Sequence, residues 1–198
     1  NRLVIAGFVE RQESGKTIAT DQARDYDVEY WGDVEATKTV ARPWAYVFPI
    51  GSHSKAVIDK ARTLSTKPLT IAIVSHHHFD HSGGLRVAVA EGLTIVTHRA
   101  NEAFFNDLLA RKHTIVPDAL QMKPTPAKFE WVDDQMTLKD KSMEVQLYHL
   151  LDNPREGTNL FAYVPRERML VQADLYDAGW NQHLWGENVL TNLAQRKL

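Results

Sequence analysis

The chain contains no cysteine. Disulfides and thiolate metal ligands are therefore excluded, and any bound metal must be held by histidine, aspartate or glutamate. An excess of charge is also missing, since 23 Lys and Arg against 25 Asp and Glu leave a formal net charge of −2. No basic stripe stands out, which argues against nucleic acid as a partner. Long apolar runs are lacking too. None approaches the ~20 residues needed to span a bilayer, so no membrane partner is expected. Internal repeats, low-complexity tracts and a visible signal peptide are absent. A leader removed ahead of "NRLVIAG" would favour a periplasmic or secreted location over a cytoplasmic one. What is present, 198 residues at 43% hydrophobic and 24% charged, is the composition of a soluble globular protein with one sizeable core.

Two grammars follow one another. Residues 1–50 read as a β-rich segment, with "RLVIAGFVE", "YDVEYWGDV" and "TVARPWAYVFPI" mixing β-branched and aromatic residues around the turn-like "RQESGK". Residues 51–198 alternate helices and strands. "SKAVIDKARTL" has helical spacing, "PLTIAIVS" is a buried-type strand, "GGLRVAVAEG" a short helix and "LTIVTH" a second strand. "NEAFFNDLLARK" reads as an amphipathic helix with Asn101 as its cap. "FEWV", "QMTLKDK", "MEVQLYHLL", "TNLFAYVP" and "RMLVQADLY" read as strands of a meander, and "LWGENVLTNLAQRKL" as a closing helix. The pattern predicts an α/β architecture with helices covering sheets.

Four of the nine histidines lie in "SHHHFDHSGG", residues 75–84. In an extended loop, residues two apart point the same way, so His76, His78 and Asp80 can converge on one point. His81 then turns the other way, His77 faces away from the cluster, and Gly83 and Gly84 let the chain bend into the next helix. Imidazoles and a carboxylate without thiolate suit zinc or another borderline divalent ion. Isolated, the same residues would be a polar loop. Placed between a buried-type strand and a glycine-opened helix, they read as a metal site.

The run matches His-x-His-x-Asp-His-x-Gly-Gly, and on it the chain resembles the metallo-β-lactamase superfamily. The likeness extends from "AVIDKARTL" through "GGLRVAVAEGLTIVTHRAN" to "FAYVPRERMLVQADLY". It implies an αβ/βα sandwich with a metal site at the sheet edges. It also implies one or two zinc ions: His76 and His78 on the first, Asp80 and His81 on the second, and Asp174 bridging both. Histidine rather than glutamate at position 78 favours the zinc hydrolase branch over the di-iron oxidoreductases. The implied reaction is hydrolysis of an ester, amide, lactone or related bond in a small molecule, with Asp80 orienting the nucleophile and accepting a proton. Oligomeric state is not fixed by the sequence.

Three departures from the family pattern shape the expectation. Where the family carries a metal-binding histidine about twenty residues before the bridging aspartate, this chain has Arg155, in "NPRE". A guanidinium cannot coordinate a cation and is expected to pair with Asp174 or Asp80 instead. The nearest histidine, His149, reads as a strand-end residue. The family's last histidine, on a strand after the final helix, has no counterpart before Leu198. Between "PIGSHS" and "AVIDK" there is almost no room for the family's opening strands. The expected domain is thus an incomplete or divergent sandwich over 51–198 that lacks its final strand. Its metal site is mononuclear or of low occupancy, and the alternative to a hydrolase is an inactive relative serving as a binding or structural domain. His53, His98, His113 and His183 read as surface or satisfied histidines, with His98 the one nearest the site. Trp31, Trp44, Trp131, Trp180 and Trp185 read as packing residues.

Overall fold

The computed structural model describes residues 9–11, 17–19, 51–63, 66–175 and 185–198, with side chains from Ser54 onward except that of Asp80. Strands β1 (Val9–Arg11) and β2 (Thr17–Ala19) pair antiparallel. The rest of the β-rich reading of residues 1–50, including Trp31 and Trp44, lies outside the described residues.

Helix α1 (Gly51–Thr63) buries Ser54, Val57, Ile58 and Ala61, which fall three and four apart on one stripe. Strand β3 (Ile71–Ile73), the short helix α2 (Phe79–Ser82), helix α3 (Leu85–Ala90) and strand β4 (Thr94–His98) follow. Gly92 ends α3 at φ +80, where its amide donates to Val89 O and that of Leu93 to Ala88 O, at 2.9 and 3.1 Å. This paired closure needs a left-handed residue, which glycine adopts without a side-chain clash. It delivers the buried Leu93 directly into β4.

After β4 come a 3-10 turn (Arg99–Asn101), α4 (Glu102–Ala110), α5 (Ala119–Met122) and β5 (Lys128–Val132). Asn101 precedes α4 as expected but does not cap it; its Nδ2 donates to Thr97 Oγ1 at 3.1 Å. Strand β5 corrects the meander reading of "FEWV". It pairs parallel to β4, with Ile95 opposite Phe129, in a sheet ordered β3-β4-β5. Helices α4 and α5 supply the long crossover that a parallel partner requires. Strands β6 (Gln135–Lys139), β7 (Glu144–His149), β8 (Leu160–Val164) and β9 (Met169–Val171) do form an antiparallel meander. Helix α6 (Gly186–Arg196) closes the described chain.

The two sheets stack on one apolar layer, to which β3, β4 and β5 contribute Ile73, Val96 and Val132, and β7 and β8 contribute Leu147, Ala162 and Val164. Strand β8 shows how one sequence serves two layers. Leu160, Ala162 and Val164 join this core, while Phe161 and Tyr163 face a second cluster with Tyr148, Leu175 and, from α6, Val189 and Leu193. With α1 and α3 packed together against the first core cluster, the result is the α/β sandwich with helices outside two stacked sheets. No described helix is long and apolar enough to cross a membrane.

One buried charge stands inside this framework. Arg86 on α3 forks onto Asp118, Nε to Oδ2 and Nη2 to Oδ1, and its Nη1 donates to the carbonyls of Leu108 and Leu109 at 3.1 and 2.8 Å. It thereby satisfies the C-terminal carbonyls of α4, while Asp118 also accepts from Gln121 N at 2.8 Å and caps α5. Asp118→Ala strands a buried guanidinium and removes a cap. It should cost about 3 kcal/mol in chemical denaturation. Asp133→Ala, at the solvent-exposed Arg99 pair, should lower stability far less. Equal losses for the two variants would refute this account of Arg86.

Candidate metal centre

The site begins where the two sheets meet. Val74 continues β3 by donating to Val96 O at 2.9 Å, and the carbonyl of Ser75 then accepts from Leu160 N of β8, also at 2.9 Å. The next residue, His76, is fully buried at this seam. Ser75 Oγ lies 3.0 Å from His76 Nδ1, so that Nε2 faces inward, 2.9 Å from His78 Nδ1 and 3.5 Å from Asp174 Oδ2. Burial pushes the His76 imidazole below its usual range and outweighs the opposing effect of Asp174. It is therefore held neutral, the form that binds a cation.

His76 and His78 share a side because the chain between them is extended. The alternation stops there. Residues 79–82 make one helical turn, in which Gly83 N donates to Phe79 O at 2.8 Å and the Ser82 hydroxyl to His77 O at 2.8 Å. The turn corrects the expectation that His81 faces away: three residues beyond His78 it comes back to the site, its Nε2 3.0 Å from Asp174 Oδ2 and its ring 4.3 Å from that of His76. The backbone of Asp80 lies in the same turn, and its carboxylate lies outside the described side chains. Gly83 and Gly84 have φ of −58° and −85°, so the bend into α3 uses ordinary right-handed backbone.

Asp174 arrives from the other sheet, just after β9. Its φ is +65°, a conformation that aspartate tolerates better than most residues. The turn is closed by Gln172 Oε1, which accepts from Leu175 N at 2.8 Å. Burial raises the Asp174 carboxyl, but the His76 and His81 imidazoles, 3.5 and 3.0 Å from Oδ2, and the charge of Arg155 hold it well below the usual carboxylate range. As the arginine at the family's histidine position suggested, Arg155 pairs here: its Nη2 sits 2.7 Å from Asp174 Oδ2.

His76, His78 and Asp174 each offer one ligand atom, and these lie within 4.8 Å of one another. Two imidazole nitrogens and one carboxylate oxygen at that spacing fit a single borderline divalent ion. His77 stands apart, its Nδ1 3.2 Å from Glu156 Oε1 and its ring edge-on to Phe104. Ser75 and Glu156 are the site-supporting residues that sequence reading missed. Their only signal is adjacency, one beside the histidine run and the other beside Arg155.

The other singled-out residues serve packing and surface roles. His98 and His149 pack against each other with tilted rings, centroids 4.1 Å apart, at the ends of β4 and β7. Trp131 stacks on Phe129, Trp185 packs against the second core cluster, and His113 lies 3.7 Å from Asp118. The side chains of His53, Trp180 and His183 lie outside the described set.

No family model matches the sequence, and no curated protein matches it. Solved structures do. A metallo-β-lactamase from Pontibacter korlensis superposes with a TM-score of 0.53 at 17% identity over 72% of this chain and 63% of its own. The DIM-1 metallo-β-lactamase gives 0.56 at 11% identity, covering 77% of this chain and 68% of that one. The flavodiiron core of Flv1 from Synechocystis sp. PCC6803 gives 0.51 at 16% identity, covering 75% and 41%. The chain thus spans less than two thirds of the first and third of these proteins. At these identities the likeness establishes the fold: this chain has the metallo-β-lactamase fold.

These packed histidines generate a pH prediction. Burial lowers the His98 imidazole, the neighbouring His149 adds to this, and its bond to Asp133 O with the charges of Glu156 and Asp133 only partly offsets both. Because the fold favours the neutral ring, the contribution is complete above the unfolded value of about 6.5 and is lost as pH falls below it. Thermal melts from about pH 8 to about pH 5 should show the wild type losing stability more steeply than His98→Asn. Parallel curves would refute the assignment.

Proposed function

We propose that the protein is a metal-dependent hydrolase that binds a divalent ion, zinc, through His76, His78 and Asp174 and cleaves an ester, amide, lactone or related bond in a small molecule. The convergence of those three ligand atoms within 4.8 Å carries the reading. A bound divalent ion supplies the acidification of water and the polarisation of the scissile group. Ser75 Oγ, 3.0 Å from Nδ1, holds the ring orientation of His76, as a polar group behind a ligating imidazole does. His81 and Arg155 keep Asp174 ionised, and Asp80 is assigned, by resemblance, the proton-accepting role. Two histidines rather than a histidine and a glutamate support zinc. The likeness to a flavodiiron core makes iron the competing ion.

One observation supports a second reading, an inactive relative acting as a binding domain: Arg155 already occupies Asp174 Oδ2 at 2.7 Å. The two readings separate on loading the protein with zinc, manganese or iron and measuring bound metal and turnover of ester, lactone, β-lactam and phosphodiester probes. The hydrolase reading expects about one equivalent of zinc, with affinity falling at least about tenfold in Asp174→Ala and turnover falling with it. Metal binding with turnover no higher than in Asp174→Ala would establish the inactive relative. Zinc below a few tenths of an equivalent would sink the metal site itself.

A further inference from the structure

From the geometry around Asp174 we infer that Arg155 is a built-in replacement for a second metal ion: its guanidinium is the fixed cation on Asp174, and the centre accepts one divalent ion only. This deepens the proposed function and rests on the metal site described there.

Three observations carry it. First, Asp174 Oδ2 is crowded with nitrogens: Arg155 Nη2 at 2.7 Å, His81 Nε2 at 3.0 Å and His76 Nε2 at 3.5 Å. Arginine is the nearest of these, and its charge cannot be discharged at any relevant pH. The first ion has His76 and His78 besides Asp174, whereas a second ion, beside His81 on this carboxylate, would meet the guanidinium where it needs a ligand, in a partly buried site that screens the repulsion poorly. Second, the guanidinium is delivered by a stapled loop. Asn153 Oδ1 accepts from the amides of Arg155 and Glu156 at 2.8 and 3.2 Å, and Asn153 Nδ2 reaches Asn188 of α6 at 3.3 Å. The buried Glu156 carboxylate accepts from Thr158 N at 2.8 Å and lies 3.2 Å from His77 Nδ1. His77 is the neighbour of both His76 and His78, so one carboxylate ties the arginine loop to the ligand loop. Third, the three-ligand group for one ion does not include Arg155 or His81, so pairing with arginine leaves His76 and His78 in place.

The test counts metal, by elemental analysis and by zinc competition against a chromophoric chelator, in wild type, Arg155→His and Arg155→Gln. The expected result is about one equivalent in the wild type and about two in Arg155→His, which exchanges a cation for a ligand beside His81 and Asp174. Arg155→Gln removes the charge alone, and should keep one equivalent while tightening it about tenfold. Circular dichroism establishes that each variant is folded. Should Arg155→His fail to fold, the Arg155→Gln affinity decides, and an unchanged value overturns the inference. Two equivalents in the wild type, or one in a folded Arg155→His, overturn it while leaving the proposed function standing. No metal in the wild type overturns both.

Discussion

The hydrogen bond from Leu160 N to Ser75 O is the constraint on which the rest of this structure depends. It joins the parallel sheet to the antiparallel one at the point where β3 runs out, and it sets the position of the next side chain. His76 can be fully buried there only because Ser75 Oγ occupies one ring nitrogen and the site occupies the other. An imidazole with either nitrogen unmatched would meet the cost of a buried unsatisfied polar group. The seam therefore selects a neutral, oriented imidazole before any ligand is considered.

Electrostatics at Asp174 completes the arrangement. A partly buried carboxylate with a strained backbone is tolerable where its charge is matched from several directions, and here the matches come from His76, His81 and Arg155. These partners reach it from the ligand loop on one side and the Arg155 loop on the other. Strain at Asp174 is offset by interactions that span both sheets, so the site and the sandwich stabilise one another.

Much of this was legible in the sequence, for reasons that differ by residue. His76 and His78 follow from period-two spacing after a buried strand, and Asp174 and Arg155 from their distance along a recognised pattern. The helical turn at 79–82 was not legible, because four residues show no helical period, and without it two-residue alternation turns His81 the other way. The strand at "FEWV" was readable as a strand but its partner was not. Only the length of the crossover through α4 and α5 distinguishes a parallel strand from one more meander strand. Ser75 and Glu156 look like ordinary polar residues until the fold brings them against His76 and His77.

Two histidine pairs among the described residues differ in ways that make only one of them a candidate metal site. His76 and His78 approach through ring nitrogens, 2.9 Å apart, with a carboxylate beside them. His98 and His149 pack with their rings tilted by 32°, and both nitrogens of His98 and one of His149 are already committed. His98 Nε2 donates to Asp133 O while its Nδ1 accepts from Ala100 N, and His149 Nε2 donates to Gly157 O. A cation at the second pair would have to break backbone hydrogen bonds in a partly buried setting, and among the described residues no carboxylate joins these rings at metal-ligand spacing. At the first pair it displaces a contact between two imidazoles and shares Asp174 with Arg155. Histidine proximity is common to both; the orientation set at Ser75 and the charge of Asp174 belong to one, and they set it apart as the candidate metal centre.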